Sequence, residues 1–128
     1  MPKWTEYKQV ARARGALALE LYVANSVPNG PDADIKGNLE AHLAYQAKLE
    51  RDGKLAFAGP LSDLTGEDMQ GEGLIIYRAA SLEEAKALAE ADPMHQSGAR
   101  TFTLRRWLVN EGSFSLSIGL SQKSIALT

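Results

Sequence analysis

Between residues 16 and 110 the apolar residues switch between two spacings, and that switching constrains the fold more than any other feature of the chain. "ALALELYVAN", residues 16–25, sets Leu17, Leu19, Leu21 and Val23 against Ala16, Ala18, Glu20, Tyr22 and Ala24, a period of two that predicts a strand with unlike faces. "SVPNGPDADIKG" follows as a loop. From about Ile35 to Asp52 the spacing becomes helical: Ile35, Leu39, Leu43 and Leu49 fall in one stripe, and Gly53 stops it. "KLAFAGP" returns to a short strand ending at Gly59-Pro60, and after a polar loop "LIIYRA" reads as a strand buried on both faces. Ser81 and Glu84 make an S-x-x-E capping box for a second helix with the stripe Leu82, Ala85, Leu88 and Ala89. Asp92-Pro93 ends that helix, because a residue before proline is pushed out of the helical region. "RTFTLRRWLVN" supplies the closing strand. The order βαββαβ predicts an α+β, ferredoxin-like sandwich.

The two ends extend this pattern. Residues 1–15 predict an extra N-terminal helix, over 4–14, ended by Gly15. In the C-terminal tail, 111–128, the segment "SFSLSIGLS" alternates Phe114, Leu116, Ile118 and Leu120 with serines and one glycine, an uncharged two-faced strand. Left unpaired, such a strand is an aggregation hazard, so it is expected to add to a sheet edge, its own or a partner's, as a strand or an exchanged arm. One domain over 1–128 is expected, with its core at about 16–110. A ferredoxin-like sheet leaves one face uncovered. Here the alanine/Tyr22 side of the first strand is small and apolar apart from Glu20, and "LIIYRA" is apolar on both sides. So little polarity predicts a homodimer with sheets face to face, and the tail offers a route to a higher oligomer.

Composition removes whole classes of chemistry. With 14 basic against 16 acidic residues and no basic run, neither nucleic acid nor an anionic membrane surface is an expected partner. The absence of cysteine excludes disulfides, thiolate nucleophiles and cysteine-ligated metals. The start "MPKWTEYKQVARARG" lacks the apolar core of a signal peptide, and no apolar run approaches the ~20 residues that span a bilayer, so a soluble, cytoplasmic protein is the expectation.

Chemistry then falls to a few side chains. His42 lies about 60° around the helix from Leu39 and close to Gln46 and Leu49, so it points toward the sheet, where an unpaired polar group costs roughly 1–3 kcal/mol. Helical phase alone favours a core histidine bonded to a carbonyl; an imidazole, titrating near ~6.5, is also the usual general acid or base. Asp92 fits an N-cap with proline at the first helical position, and equally a carboxylate that orients an imidazole; its two oxygens allow both. His95 reads as a loop histidine that could share a pocket with His42 and Asp92, without a metal-binding spacing. Tyr22 reads as a core, interface or pocket aromatic. Arg105 is a candidate anion-binding residue or a cross-sheet partner of Glu20.

Taken in order, "HLAYQAKLERDGKLAFAGPL", "SLEEAKALAEADPM" and "TFTLRRWLV" resemble the YCII-related, YciI-like family of the dimeric α+β barrel superfamily, over about residues 16–110. The resemblance implies a homodimer and a His/Asp pair in a pocket, carried by His42 before "G-x-L-x-x-A-G-P" and by Asp92 of the "DP" element. Gly59 and Pro60 would shape the pocket wall. Where the family has phenylalanine after that proline, this chain has Met94 and then His95. Some relatives are dehydrochlorinases acting on aromatic degradation products, which implies a cofactor-independent lyase or isomerase using His42 and Asp92 for proton transfer on a small cyclic or aromatic metabolite. Gly59, Pro60, His95, Tyr22 and Arg105 are then the candidate substrate-binding residues, with no metal. A noncatalytic small-ligand-binding module is the alternative.

Overall fold

The computed structural model describes residues 1–128 as two compact units, one of Glu20–Trp107 and one of Met1–Leu19 with Leu108–Thr128. In the larger unit the elements are β1 (Leu19–Pro28), α2 (Ile35–Arg51), β2 (Leu55–Ser62), β3 (Met69–Tyr77), α3 (Leu82–Glu90), α4 (Pro93–Gln96) and β4 (Arg100–Val109), preceded by α1 (Trp4–Ala13). The sheet order β2-β3-β1-β4, with β3 antiparallel to both β1 and β2, is that of a ferredoxin-like α+β sandwich.

The core lies on one sheet face, where Tyr22 and Ala24 of β1 and Ile75 and Tyr77 of β3 meet Leu49 of α2 and Ala85 and Ala89 of α3, with Phe102 and Leu104 of β4 packed alongside. The alanine/Tyr22 side of β1 is therefore the covered side, and Val23 lies on the opposite one, the reverse of what the leucine-rich alternation led us to expect. Alanine is small enough for the helix backbones to come close, which is what the covered face requires. The Tyr45 hydroxyl donates to the Leu88 carbonyl at 2.7 Å and ties α2 to α3. Ser81 caps α3 by accepting from the Glu84 N–H at 3.1 Å, while the Glu84 carboxylate reaches past it to the Ala80 N–H.

Three boundaries differ from the sequence pattern. β1 runs on to Pro28, and β3 begins at Met69, five residues before its apolar run. β2 continues through Gly59-Pro60 to Ser62, because it is an edge strand and can accommodate a residue without an N–H.

In the terminal unit Ala11, Ala18 and Leu108 form a small core with Trp4, Tyr7 and Ala16 packed on it. The tail is a hairpin, β5 (Leu116–Gly119) antiparallel to β6 (Ser124–Leu127), so the alternating segment pairs with its own chain's end and not with the main sheet's edge. No helix is long and apolar enough to cross a membrane.

Candidate functional site

A cavity of about 480 Å³ opens between the first half of α2 and the strand ends beneath it. Ile35, Leu39, His42, Leu43 and Gln46 form the helical wall, Gly59 and Pro60 the β2 wall, and Met94, Ser26 and Arg100 lie on α4, β1 and β4. The helix stripe thus divides its work: Leu49 is fully buried in the core, while Leu39 and Leu43, 44% and 54% exposed, wall the cavity. The volume is within the range of small-molecule sites, and the lining is mostly apolar with a few polar groups.

His42 is anchored from behind. Its Nδ1 lies 2.8 Å from both carboxylate oxygens of Asp92, which is 1% exposed, and the same Oδ1 accepts the Met94 N–H at 2.9 Å. One carboxylate thus caps α4 and holds the imidazole. An ionised carboxylate only accepts, so Nδ1 carries the hydrogen and the neutral ring keeps its lone pair on Nε2.

A second chain of bonds has equally determined directions. The Ala89 carbonyl can only accept, so His95 donates to it from Nδ1 at 2.7 Å, and Nε2 of the neutral ring accepts from the Ser26 hydroxyl at 2.8 Å. The Ser26 Oγ in turn accepts from Arg100 Nε at 2.8 Å. Burial pushes the His95 pKa down, against the upward pull of the Ala89 bond and Asp92, and burial likewise lowers Arg100. The Tyr77 hydroxyl, buried without a partner, is pushed well above the usual phenol range by burial and by Asp92.

Of the residues singled out in the sequence, His42, Gly59 and Pro60 line the cavity, and Asp92 stands directly behind His42. His95 is not a loop residue but part of α4, one bond removed from the cavity through Ser26. Tyr22 is 2% exposed in the core, its hydroxyl bonded to Glu20 at 2.7 Å, and so does not reach the cavity. Arg105 is exposed on the sheet face opposite Phe102 and Leu104; Arg106 is the arginine that acts on the Tyr22 hydroxyl beside Glu20. Sequence reasoning passed over Ser26 and Arg100. Strand parity carried the signal, because Ser26 shares the face of Tyr22 and Ala24, and Arg100 that of Phe102 and Leu104. No group of three or more histidine, aspartate or glutamate side chains is gathered as metal ligands.

This strand order, with a histidine on the first long helix held by a buried aspartate, prompts comparison with known proteins. The family model of the YCII-related domain matches residues 17–108. The chain belongs to the YCII-related family. This YCII-related chain is 33% identical over 70 residues, 55% of its length and 75% of the relative's, to the uncharacterized protein YjpA of Bacillus subtilis (strain 168). Among solved structures it is similar to the 5-chloro-2-hydroxyhydroquinone dehydrochlorinase TftG of Burkholderia phenoliruptrix AC1100, in complex with 2,5-dihydroxybenzoquinone. That likeness has a TM-score of 0.55 and 26% identity, over 68% of this chain and 92% of the other. A YCII-related domain spanning residues 17–108 leaves α1 and the tail hairpin outside the matched region.

Proposed function

We propose that this chain is a small-molecule enzyme that moves a proton on a small cyclic or aromatic metabolite, in an elimination or an isomerisation. His42 is the general acid or base, and Asp92 fixes its tautomer and carries the countercharge when the ring takes up a proton. The observation that carries this reading is the placement of His42: Nδ1 is held by both oxygens of Asp92, which leaves Nε2 as the basic nitrogen of a side chain that lines the cavity. The likeness to a dehydrochlorinase supports the reaction class. In such an elimination Nε2 takes the proton, the C–H electron pair forms the new π bond, and chloride leaves with the C–Cl pair. Turnover of a panel of chlorinated hydroquinones and unsaturated lactones tests the proposal. His42→Ala is expected to lower the rate about 10²–10⁴-fold, and an unchanged rate removes the histidine from the mechanism.

The mostly apolar lining also favours a second reading, a module that holds a small ligand without changing it. Deuterium from the solvent separates the two: a base exchanges a ligand C–H hydrogen, whereas a binding module leaves it in place.

The reading includes a homodimer. Phe57, exposed on β2, and Val23, half-buried on β1, flank the buried Ile76 of β3 on the face the helices leave open, and the two offer uncharged surface to a second copy. A cytoplasmic setting fits a chain without cysteine.

A further inference from the structure

Arg100 presents an unusual set of donors to the cavity it lines. Its Nε–H goes to the Ser26 hydroxyl at 2.8 Å, one Nη2 hydrogen goes to the Ser26 carbonyl at 2.7 Å, and the other goes to the Gly71 carbonyl. A guanidinium has five N–H donors, so the two on Nη1 remain without a protein partner. All three acceptors are neutral, and no carboxylate bonds to the cation. Asp92 acts on the cation only through space, and Glu72, which lines the same cavity, accepts from Asn25 at 2.9 Å, so the half-buried guanidinium keeps donors for an anion brought beside it. The side chain is also held from behind, because Ser26 is fixed in turn by His95.

The pattern of occupied donors selects the anion. A carboxylate is gripped through two parallel N–H groups on two different nitrogens. The edge made by Nε and Nη2 is filled by Ser26, and the edge made by Nη1 and Nη2 lacks a free Nη2 hydrogen. Nη1 by itself suits a single oxygen. The surrounding Ile35, Leu39, Leu43 and Met94 offer apolar surface to a ring. We propose that Arg100 is the anion-binding residue of this cavity and that it takes a one-oxygen oxyanion on a planar ring, a phenolate or an enolate, in preference to a carboxylate. The inference rests on the reading of the cavity as a substrate site. When His42 removes a proton from a saturated ring carbon conjugated with a ring carbonyl, the C–H pair forms a new C=C bond, the carbonyl π pair moves onto oxygen, and Arg100 meets the charge there.

Calorimetry on the full chain tests this with para-nitrophenolate, its neutral ether para-nitroanisole and para-nitrobenzoate, above neutral pH where the phenol is ionised. The wild type is expected to hold the phenolate about tenfold or more tightly than either of the others, Arg100→Met to bring all three within about twofold, and His42→Ala to keep the preference. The inference is overturned by a wild type that does not distinguish phenolate from ether, by a folded Arg100→Met protein that still does, or by para-nitrobenzoate bound as tightly as the phenolate. The wild-type comparison decides the matter even if the arginine variant does not fold. An Arg100-dependent phenolate preference alongside turnover unaffected by His42→Ala removes the base and keeps this site, so the two ideas fail separately.

Discussion

Asp92 accepts from the Met94 N–H and from His42 Nδ1 through the same Oδ1, with Oδ2 also on the imidazole, so the cap and the hold on the imidazole share one side chain. Asp92→Asn separates them. If the amide oxygen keeps the cap, the amide N–H faces Nδ1, the ring hydrogen moves to Nε2, and the cavity meets a donor in place of a base. The rate is expected to fall about 10²–10⁴-fold while stability changes by about 1 kcal/mol, the tautomer argument known from other histidine–aspartate pairs. Equal turnover in the two proteins would sink the orienting role. His95 makes a prediction of its own. Burial holds its pKa below the ordinary ~6.5, so below that pH the unfolded chain binds the proton first and stability rises with pH. The stability is complete above ~6.5 and is lost as the pH falls through the folded-state value. The gap in denaturation midpoint between wild type and His95→Asn should therefore narrow as the pH is lowered from about 7 to about 5. A constant gap removes His95 from the linkage.

At the level of elements, β3 shows both how the cavity is built and why part of it was hard to read. Gly71 sits in this strand at φ +91°, and a Cβ there would lie 2.8 Å from Pro28 Cγ, while its carbonyl holds Arg100. Gly53, at φ +73°, has open space around it. Gly71→Ala is thus expected to cost about 1–3 kcal/mol and to exceed Gly53→Ala in the same urea titration, since strain and a stiff proline ring add together; equal costs would show the contact to be harmless. The segment Met69–Gly73 pairs through its main chain and carries no apolar pattern, so it looked like a loop, whereas Leu74–Tyr77 was legible from its side chains. The βαββαβ order and the helices α2 and α3 were legible because period, cap and proline all pointed the same way; helical phase turned His42 inward, but its pairing with Asp92 came only from the family resemblance, since neither residue's spacing names the other as partner. Arg105 was misplaced because "RRW" has no anchor of its own; only the inward Phe102 and Leu104 show which arginines share the covered face. The tail's partner strand, "SIAL", is too short to carry a period, and its turn uses Lys123 at φ +50° where a glycine would have announced it.

On the scale of the whole molecule, the tail hairpin has no obvious reason to persist alone. Leu116 stands opposite Leu127 and Ile118 opposite Ile125, all four on one face and between 61% and 73% exposed. A free two-stranded hairpin is marginal in water, and an uncharged ribbon of this kind is a site for self-association. Two copies stacked face to face satisfy each other, because an isologous contact asks only that the surface match itself. The face supplies roughly a few hundred Å² per copy, less than the ~800 Å² per partner of a standard interface, so it suffices to reinforce the proposed dimer but not to make an assembly alone. Under the proposed homodimer through the sheet face of Phe57 and Val23, removing residues 113–128 should therefore weaken higher association without producing monomers. Light scattering over a dilution series reads this directly: the full chain is expected to lose mass stepwise on dilution, and the shortened chain to remain a dimer throughout. Identical mass curves for the two would show that the hairpin joins nothing, and monomers in the shortened chain would make it the principal contact.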